Sequence, residues 1–195
     1  MVDGRAAQHD AAASEGALAM TRLEPFVLDE LSPPQQVLIK TNGTVTHILE
    51  AYTGESIKIV KLSQGYVTWD RADPRLDLDS GCQVLQRTVL LQGSQSGRNH
   101  LYADSIMIPD RLDQHVVDGL LNTDTPVGTL LVERRVETFR EILAVGKEPA
   151  DSCAPLFGIP PDEEMICRTY QVLTGRRPIM LITEKFPASF YVSLI

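Results

Sequence analysis

The stretch "MICRTYQVLTGRRPIMLITEKF", residues 165 to 186, constrains this chain more than any other. Two apolar runs flank a polar break at Gly175, and Pro178 stands near the start of the second run. Each run reads as a strand, and the short break between them predicts an antiparallel hairpin. Strand side chains alternate between faces. Met180, Ile182, Glu184 and Phe186 therefore share one side, which puts a carboxylate on an otherwise apolar face.

A second run carries the same anomaly with the opposite sign. In "VLQRTVLL", residues 84 to 91, Leu85, Arg87, Val89 and Leu91 share one face, and Val84, Gln86, Thr88 and Leu90 share the other. A lone buried charge costs several kcal/mol, so Arg87 and Glu184 each need a partner or a ligand. Two readings follow from periodicity. Either Arg87 and Glu184 form a structural buried salt bridge, or they line a pocket. In the pocket reading the arginine holds an anionic carboxylate bidentately and the glutamate does proton chemistry.

The rest of the chain supplies strands, then helices, then strands. Ser32 is placed to cap a short helix opened by Pro33 and Pro34. Asn42-Gly43 suits a turn, Thr44 to Tyr52 read as a strand, and "SIKIVKL" reads as its partner. "GCQVLQRTVLLQG" and "NHLYADSIMIP" read as two strands joined by "SQSGR". "PDRLDQHVVDGLLN" and "PVGTLLVERRVETFREILAV" have helical apolar spacing, with Asp110 as an N-cap. The expected fold class is α+β, an antiparallel sheet with helices packed on one side.

At 195 residues the chain has the length of one domain. The small and polar opening segment reads as a disordered extension over residues 1 to 22, followed by a single domain over 23 to 195. A net charge of −8 argues against nucleic acid or an anionic membrane as a partner. Cys82, Cys153 and Cys167 are widely spaced without a CxxC pair, which fits packing cysteines in a reduced, cytoplasmic protein. No apolar run approaches the roughly 20 residues of a membrane span. His9, His100 and His115 lack ligand spacing, so no metal site is expected, and His47 reads as a packed or surface residue. The Arg134-Arg135 pair lies beside Glu133 and Glu137 and reads as helical surface pairing.

Four segments, "NGTVTHIL", "VLQRTVLLQG", "TPVG" and "GRRPIMLITEKF", resemble in order and spacing those of the chorismate pyruvate-lyase family. The resemblance spans roughly residues 24 to 187 and is nearest the longer bacterial branch that supplies 4-hydroxybenzoate. It implies a chorismate lyase-like sheet flanked by helices, and a cofactor-independent elimination of pyruvate from chorismate. Position by position, Arg87 matches the arginine that holds the product carboxylate, and Glu184 matches the catalytic glutamate. Val45 and Val127 match two residues that offer backbone amides to the ligand. In this reading Glu184 donates a proton to, or hydrogen-bonds, the departing ether, while Arg87 anchors the ring carboxylate.

For the second carboxylate, Arg168, Arg176, Arg177 and Lys185 surround the final hairpin. Arg168 is the best of these, against the alternative of a solvated charge at the sheet edge. A monomer is expected. A related fold serves as the effector-binding domain of GntR-type regulators, so a non-catalytic ligand-binding domain is the alternative function. The 22 residues ahead of the expected domain are too few for a winged helix, which weighs against a DNA-binding regulator.

Overall fold

The computed structural model describes residues 28–193. The extension expected over 1–22 lies outside the described residues. Six strands form one sheet: Ile57–Thr68 (β1), Gln83–Gly93 (β2), Asn99–Met107 (β3), Phe139–Pro149 (β4), Glu164–Thr174 (β5) and Arg177–Pro187 (β6). Their spatial order is β1-β2-β3-β6-β5-β4, and every neighbouring pair is antiparallel. Two three-strand meanders are thus joined along β3 and β6. The predicted β5–β6 hairpin forms, with Thr174 paired to Arg177. Its two turn residues, Gly175 and Arg176, have φ of 52° and 68°. That geometry is the two-residue turn whose twist matches the flanking strands.

Four helices cover one face: Pro33–Lys40 (α1), Val45–Thr53 (α2), Gln114–Asn122 (α3) and Val127–Glu133 (α4). Leu38, Val45 and Leu49 of α1 and α2 pack on Ile59, Val89, Leu91 and Phe186. Val116, Leu120, Leu130 and Leu131 of α3 and α4 pack on Leu85, Met107, Met180 and Ile182. The opposite face carries Val84, Ile106 and Leu181, which are covered by Trp69, Leu76 and Leu78. A single turn of helix, Ala154–Phe157 (α5), completes that face over Met165 and Cys167.

Ser32 caps α1 as expected: its side chain accepts from the Gln35 amide while the Gln35 side chain accepts from the Ser32 amide. Elsewhere three expectations fail. Thr44 to Tyr52 is not a strand but lies largely in helix α2, which ends at Gly54 with φ of 71°. Val45, Leu49 and Tyr52 recur at helical spacing, and they pack together against the sheet. Burying Leu49 completely is worth about 1.5–3 kcal/mol, which outweighs the weak strand preference of Val, Thr and Ile. β1 therefore pairs with β2 alone, Ile57 opposite Gly93.

The long helix expected over "PVGTLLVERRVETFREILAV" is also shorter than its pattern. α4 stops at Glu133, Arg135 turns the chain with φ of 53°, and Phe139–Pro149 is the edge strand β4. β4 gains a full ladder with β5, from Phe139 opposite Leu173 to Pro149 opposite Glu164. Its mixture of charged and apolar residues satisfies both periods, and only the strand pairing separates them. Asp110 lies in a short 3₁₀ turn, and the N-cap of α3 is Asp113, which accepts from the His115 amide at 2.8 Å.

Candidate active site

A cavity opens on the helix-covered face where the two apolar clusters meet. Its floor is the sheet and its roof the starts of α2 and α4. Val89, Ala103, Met107, Val172 and Ile182 make most of the floor apolar, and Arg87, Tyr170 and Glu184 interrupt it.

Arg87 is only 2% exposed, yet its Nε and Nη2 have no hydrogen-bond partner among the described residues. Burial lowers the pKa of its guanidinium, and the Asp124 carboxylate opposes that shift from a distance. Beneath it, Ser105 faces Arg87 across the β2–β3 ladder and donates to the Arg87 carbonyl at 3.0 Å. This bond holds the backbone and leaves the guanidinium unpaired. An unpaired buried cation is costly, and an anion that enters the cavity relieves the cost.

Glu184 is 3% exposed, and both of its oxygens accept hydrogen bonds. Arg168 Nε donates to Oε2 at 2.6 Å, and the Tyr170 hydroxyl donates to Oε1 at 3.0 Å. The salt bridge read from periodicity is therefore corrected: the partner of Glu184 is Arg168, not Arg87. Register explains the choice. Arg168 lies directly opposite Glu184 on the adjacent strand, whereas Arg87 is two strands away, about 10 Å along the sheet.

Arg168 is not a solvated edge charge. It is 1% exposed, and its Nη1 donates to the carbonyls of Leu38 and Thr41 at the end of α1. A cation there also meets the negative end of the helix dipole. Burial opposes its charge, but Glu184 and Tyr170 together raise its pKa above the ordinary value. Burial pushes the Tyr170 hydroxyl well up, and the Glu184 carboxylate adds to this, so Tyr170 stays a proton donor.

Val45 and Val127 open α2 and α4, and both line the cavity. The first amides of a helix have no partner within it, and Thr44 supplies no side-chain cap to α2. The two helix starts touch at Gly128, where a Cβ would come within 2.9 Å of Thr44 Cγ2. A residue without a side chain is what permits this contact.

Four of the five site residues read from the sequence thus meet at one cavity: Arg87, Glu184, Val45 and Val127. Arg168 sits behind Glu184, outside the lining. Sequence reasoning missed Tyr170, although alternation along "RTY" places it on the same face as Arg168. It also missed Arg140, whose segment has apolar residues at helical spacing but forms β4. His47, Arg134, Arg135, Arg176 and Arg177 are exposed and do not line the cavity. No helix among the described residues is long and apolar enough to cross a membrane.

A fold of this kind is shared with domains of bacterial regulators. The effector domain of PhnF from Mycobacterium smegmatis superposes with a TM-score of 0.58 at 17% identity, covering 85% of this chain and 93% of that one. A GntR-family transcriptional regulator from Bacillus cereus gives 0.53 at 10% identity, covering 68% and 92%. These likenesses concern the fold alone. By sequence, the chain belongs to the Rv2949c-like chorismate pyruvate-lyase family, whose profile matches residues 39–193. It is 28% identical over 176 residues to the chorismate pyruvate-lyase of Mycobacterium tuberculosis H37Rv, spanning 86% of this chain and 88% of that protein. The Mycobacterium leprae protein of the same name is 27% identical over 159 residues, spanning 80% and 75%.

Proposed function

We propose that this chain eliminates pyruvate from chorismate to give 4-hydroxybenzoate, without a cofactor and as a cytoplasmic monomer. The observation that carries this reading is a cavity holding an unpaired buried guanidinium, Arg87, together with a hydrogen-bonded carboxylate, Glu184.

The reaction breaks the ether bond between ring and enolpyruvyl group, whose electron pair leaves with the enolpyruvate. The hydrogen on the hydroxyl-bearing ring carbon is lost as a proton, and its electron pair completes the aromatic ring. That proton ends on the methylene carbon of enolpyruvate, giving pyruvate. Aromatisation supplies the driving force, so the protein needs to bind, orient and assist proton movement. Arg87 holds the ring carboxylate, assisted by the free amides at the starts of α2 and α4. Both Glu184 oxygens accept hydrogen bonds in the resting site. This disposes Glu184 to accept from the ring hydroxyl or take the ring proton, rather than to donate to the ether. Tyr170 is the donor next to it and holds the carboxylate in position. The apolar floor limits competing water.

The direct test is incubation of the purified protein with chorismate alone, following pyruvate and aromatic product together. Equimolar pyruvate and 4-hydroxybenzoate, lost in Arg87→Ala and Glu184→Ala, supports the lyase reading. The alternative is a non-catalytic effector-binding domain, favoured by the regulator-like fold and by the neutralisation of Glu184 by Arg168. Tight binding of 4-hydroxybenzoate with no turnover would select it.

A further inference from the structure

Chorismate carries two carboxylates, and Arg87 accounts for one of them under the lyase reading. Arg168 is committed elsewhere, to Glu184 and to the carbonyls of Leu38 and Thr41. The cavity lining contains one further cation, Arg140 of β4. Resting on the lyase reading, we propose that Arg140 binds the enolpyruvyl carboxylate and so makes the site favour the dicarboxylate substrate over the monocarboxylate product.

Arg140 lies opposite Val172 in the β4–β5 ladder, on the cavity face of the sheet. Four strand spacings separate β4 from β2, about 19 Å along the sheet, so Arg140 and Arg87 enter the cavity from opposite ends. Glu184 on β6 and Tyr170 on β5 lie between them. A ligand held at both ends is thereby stretched across the groups that handle its proton.

The guanidinium of Arg140 is already aimed. Its Nη1 donates to the Asn42 carbonyl at 2.8 Å, which fixes it beside Gly43 and Thr44 at the cavity lip. That is its one hydrogen bond among the described residues, so Nε and Nη2 remain to grip a carboxylate. Arginine suits this task because its planar fork meets both carboxylate oxygens. Arg140 also acts on Tyr170: burial raises the hydroxyl pKa, and the Arg140 charge draws it partly back.

A merely structural Arg140 would clamp Asn42 and hold the start of α2, and its loss would then weaken every ligand alike. Arg140→Gln retains an amide donor for Asn42 but removes the charge. Kinetics with chorismate, inhibition by 4-hydroxybenzoate and calorimetric binding of both are compared between the wild type and this variant. The expected result is a KM or Kd for chorismate raised about 10- to 100-fold with product affinity unchanged. Arg140→Lys should recover part of the loss. Equal weakening of both ligands, or no change in either, overturns the assignment. If the wild type binds chorismate without turnover, the lyase reading fails while the binding comparison still decides the role of Arg140. A wild type that does not bind chorismate overturns both.

Discussion

Arg168 and Glu184 face each other across the β5–β6 ladder and are bonded at 2.6 Å, both nearly excluded from solvent. Arg87 lies on the same face of the sheet, two strands from Glu184, with two guanidinium nitrogens unpaired. The site therefore sets a charge-compensated carboxylate beside an uncompensated guanidinium. The first arrangement fixes the carboxylate in place, and the second leaves a buried charge without a partner among the described residues.

Removal of the acid should separate chemistry from stability. Glu184→Gln retains the shape and one acceptor oxygen, and turnover should fall about 100- to 10,000-fold. Glu184→Ala also leaves the Arg168 cation buried without its partner, at a cost of about 3–5 kcal/mol. Steady-state kinetics and thermal melting check the two effects together. Full turnover in Glu184→Gln would remove Glu184 from the mechanism.

Arg87→Met should do the reverse. It replaces an unpaired buried charge by an apolar side chain of similar length, so the ligand-free melting temperature should hold or rise. Stabilisation by 4-hydroxybenzoate should disappear, since a ligand raises the melting temperature only as far as it binds the folded state. Thermal shift with and without the product reads both. Unchanged ligand stabilisation in the variant would show that Arg87 does not hold the carboxylate.

Gly128→Ala tests the contact between the two helix starts. The new Cβ would come within 2.9 Å of Thr44 Cγ2 and 3.2 Å of its hydroxyl. Overpacking of this kind costs about 1–3 kcal/mol and should part α4 from α2. Calorimetry should show weaker product binding, and Thr44→Ser, which deletes the obstructing methyl, should restore much of it in the double variant.

Acid stability should depend on Glu55. The Ser96 hydroxyl donates to its carboxylate at 2.6 Å, and the amides of Ser96 and Gln95 donate at 2.9 and 2.7 Å. These bonds tie the β2–β3 turn and lower its pKa from 4.5 to about 2. A depressed folded pKa means that this contribution is complete above about 4.5 and lost as pH falls towards about 2. Urea midpoints of the wild type and Glu55→Gln should therefore differ at neutral pH and converge at the acid end. A constant gap across that range would show that the bonds to Glu55 do not favour its ionised form.

The strands that carry the charged cavity residues were legible because alternation is a local property. Arg87 on β2 and Glu184 on β6 each follow from a few neighbours in the chain, and both side chains do reach the cavity. The resemblance likewise placed Val45 and Val127 at the cavity, although it could not show that they begin helices. The failures fell where local and tertiary preferences conflict. Val45 to Thr53 carries β-branched residues that favour a strand, yet the segment folds as a helix whose Val45 and Leu49 pack over Ile59 and Val89. Phe139 to Pro149 satisfies both periods, and its choice depends on a ladder with β5.

Sequence alone carried the identity of the charged residues, the faces they share and the hairpin that presents Glu184. Which cation neutralises Glu184, and which cations remain for a ligand, depended on strand order and register. Those quantities join residues far apart in the chain: Arg87 is separated from Glu184 by β3, while Arg168 meets it directly. The placement of Arg140 at the far end of the same cavity has the same origin, because β4 becomes an edge strand only when β5 pairs with it. Alternation assigns a side chain to a face, and only the packed sheet assigns it a neighbour.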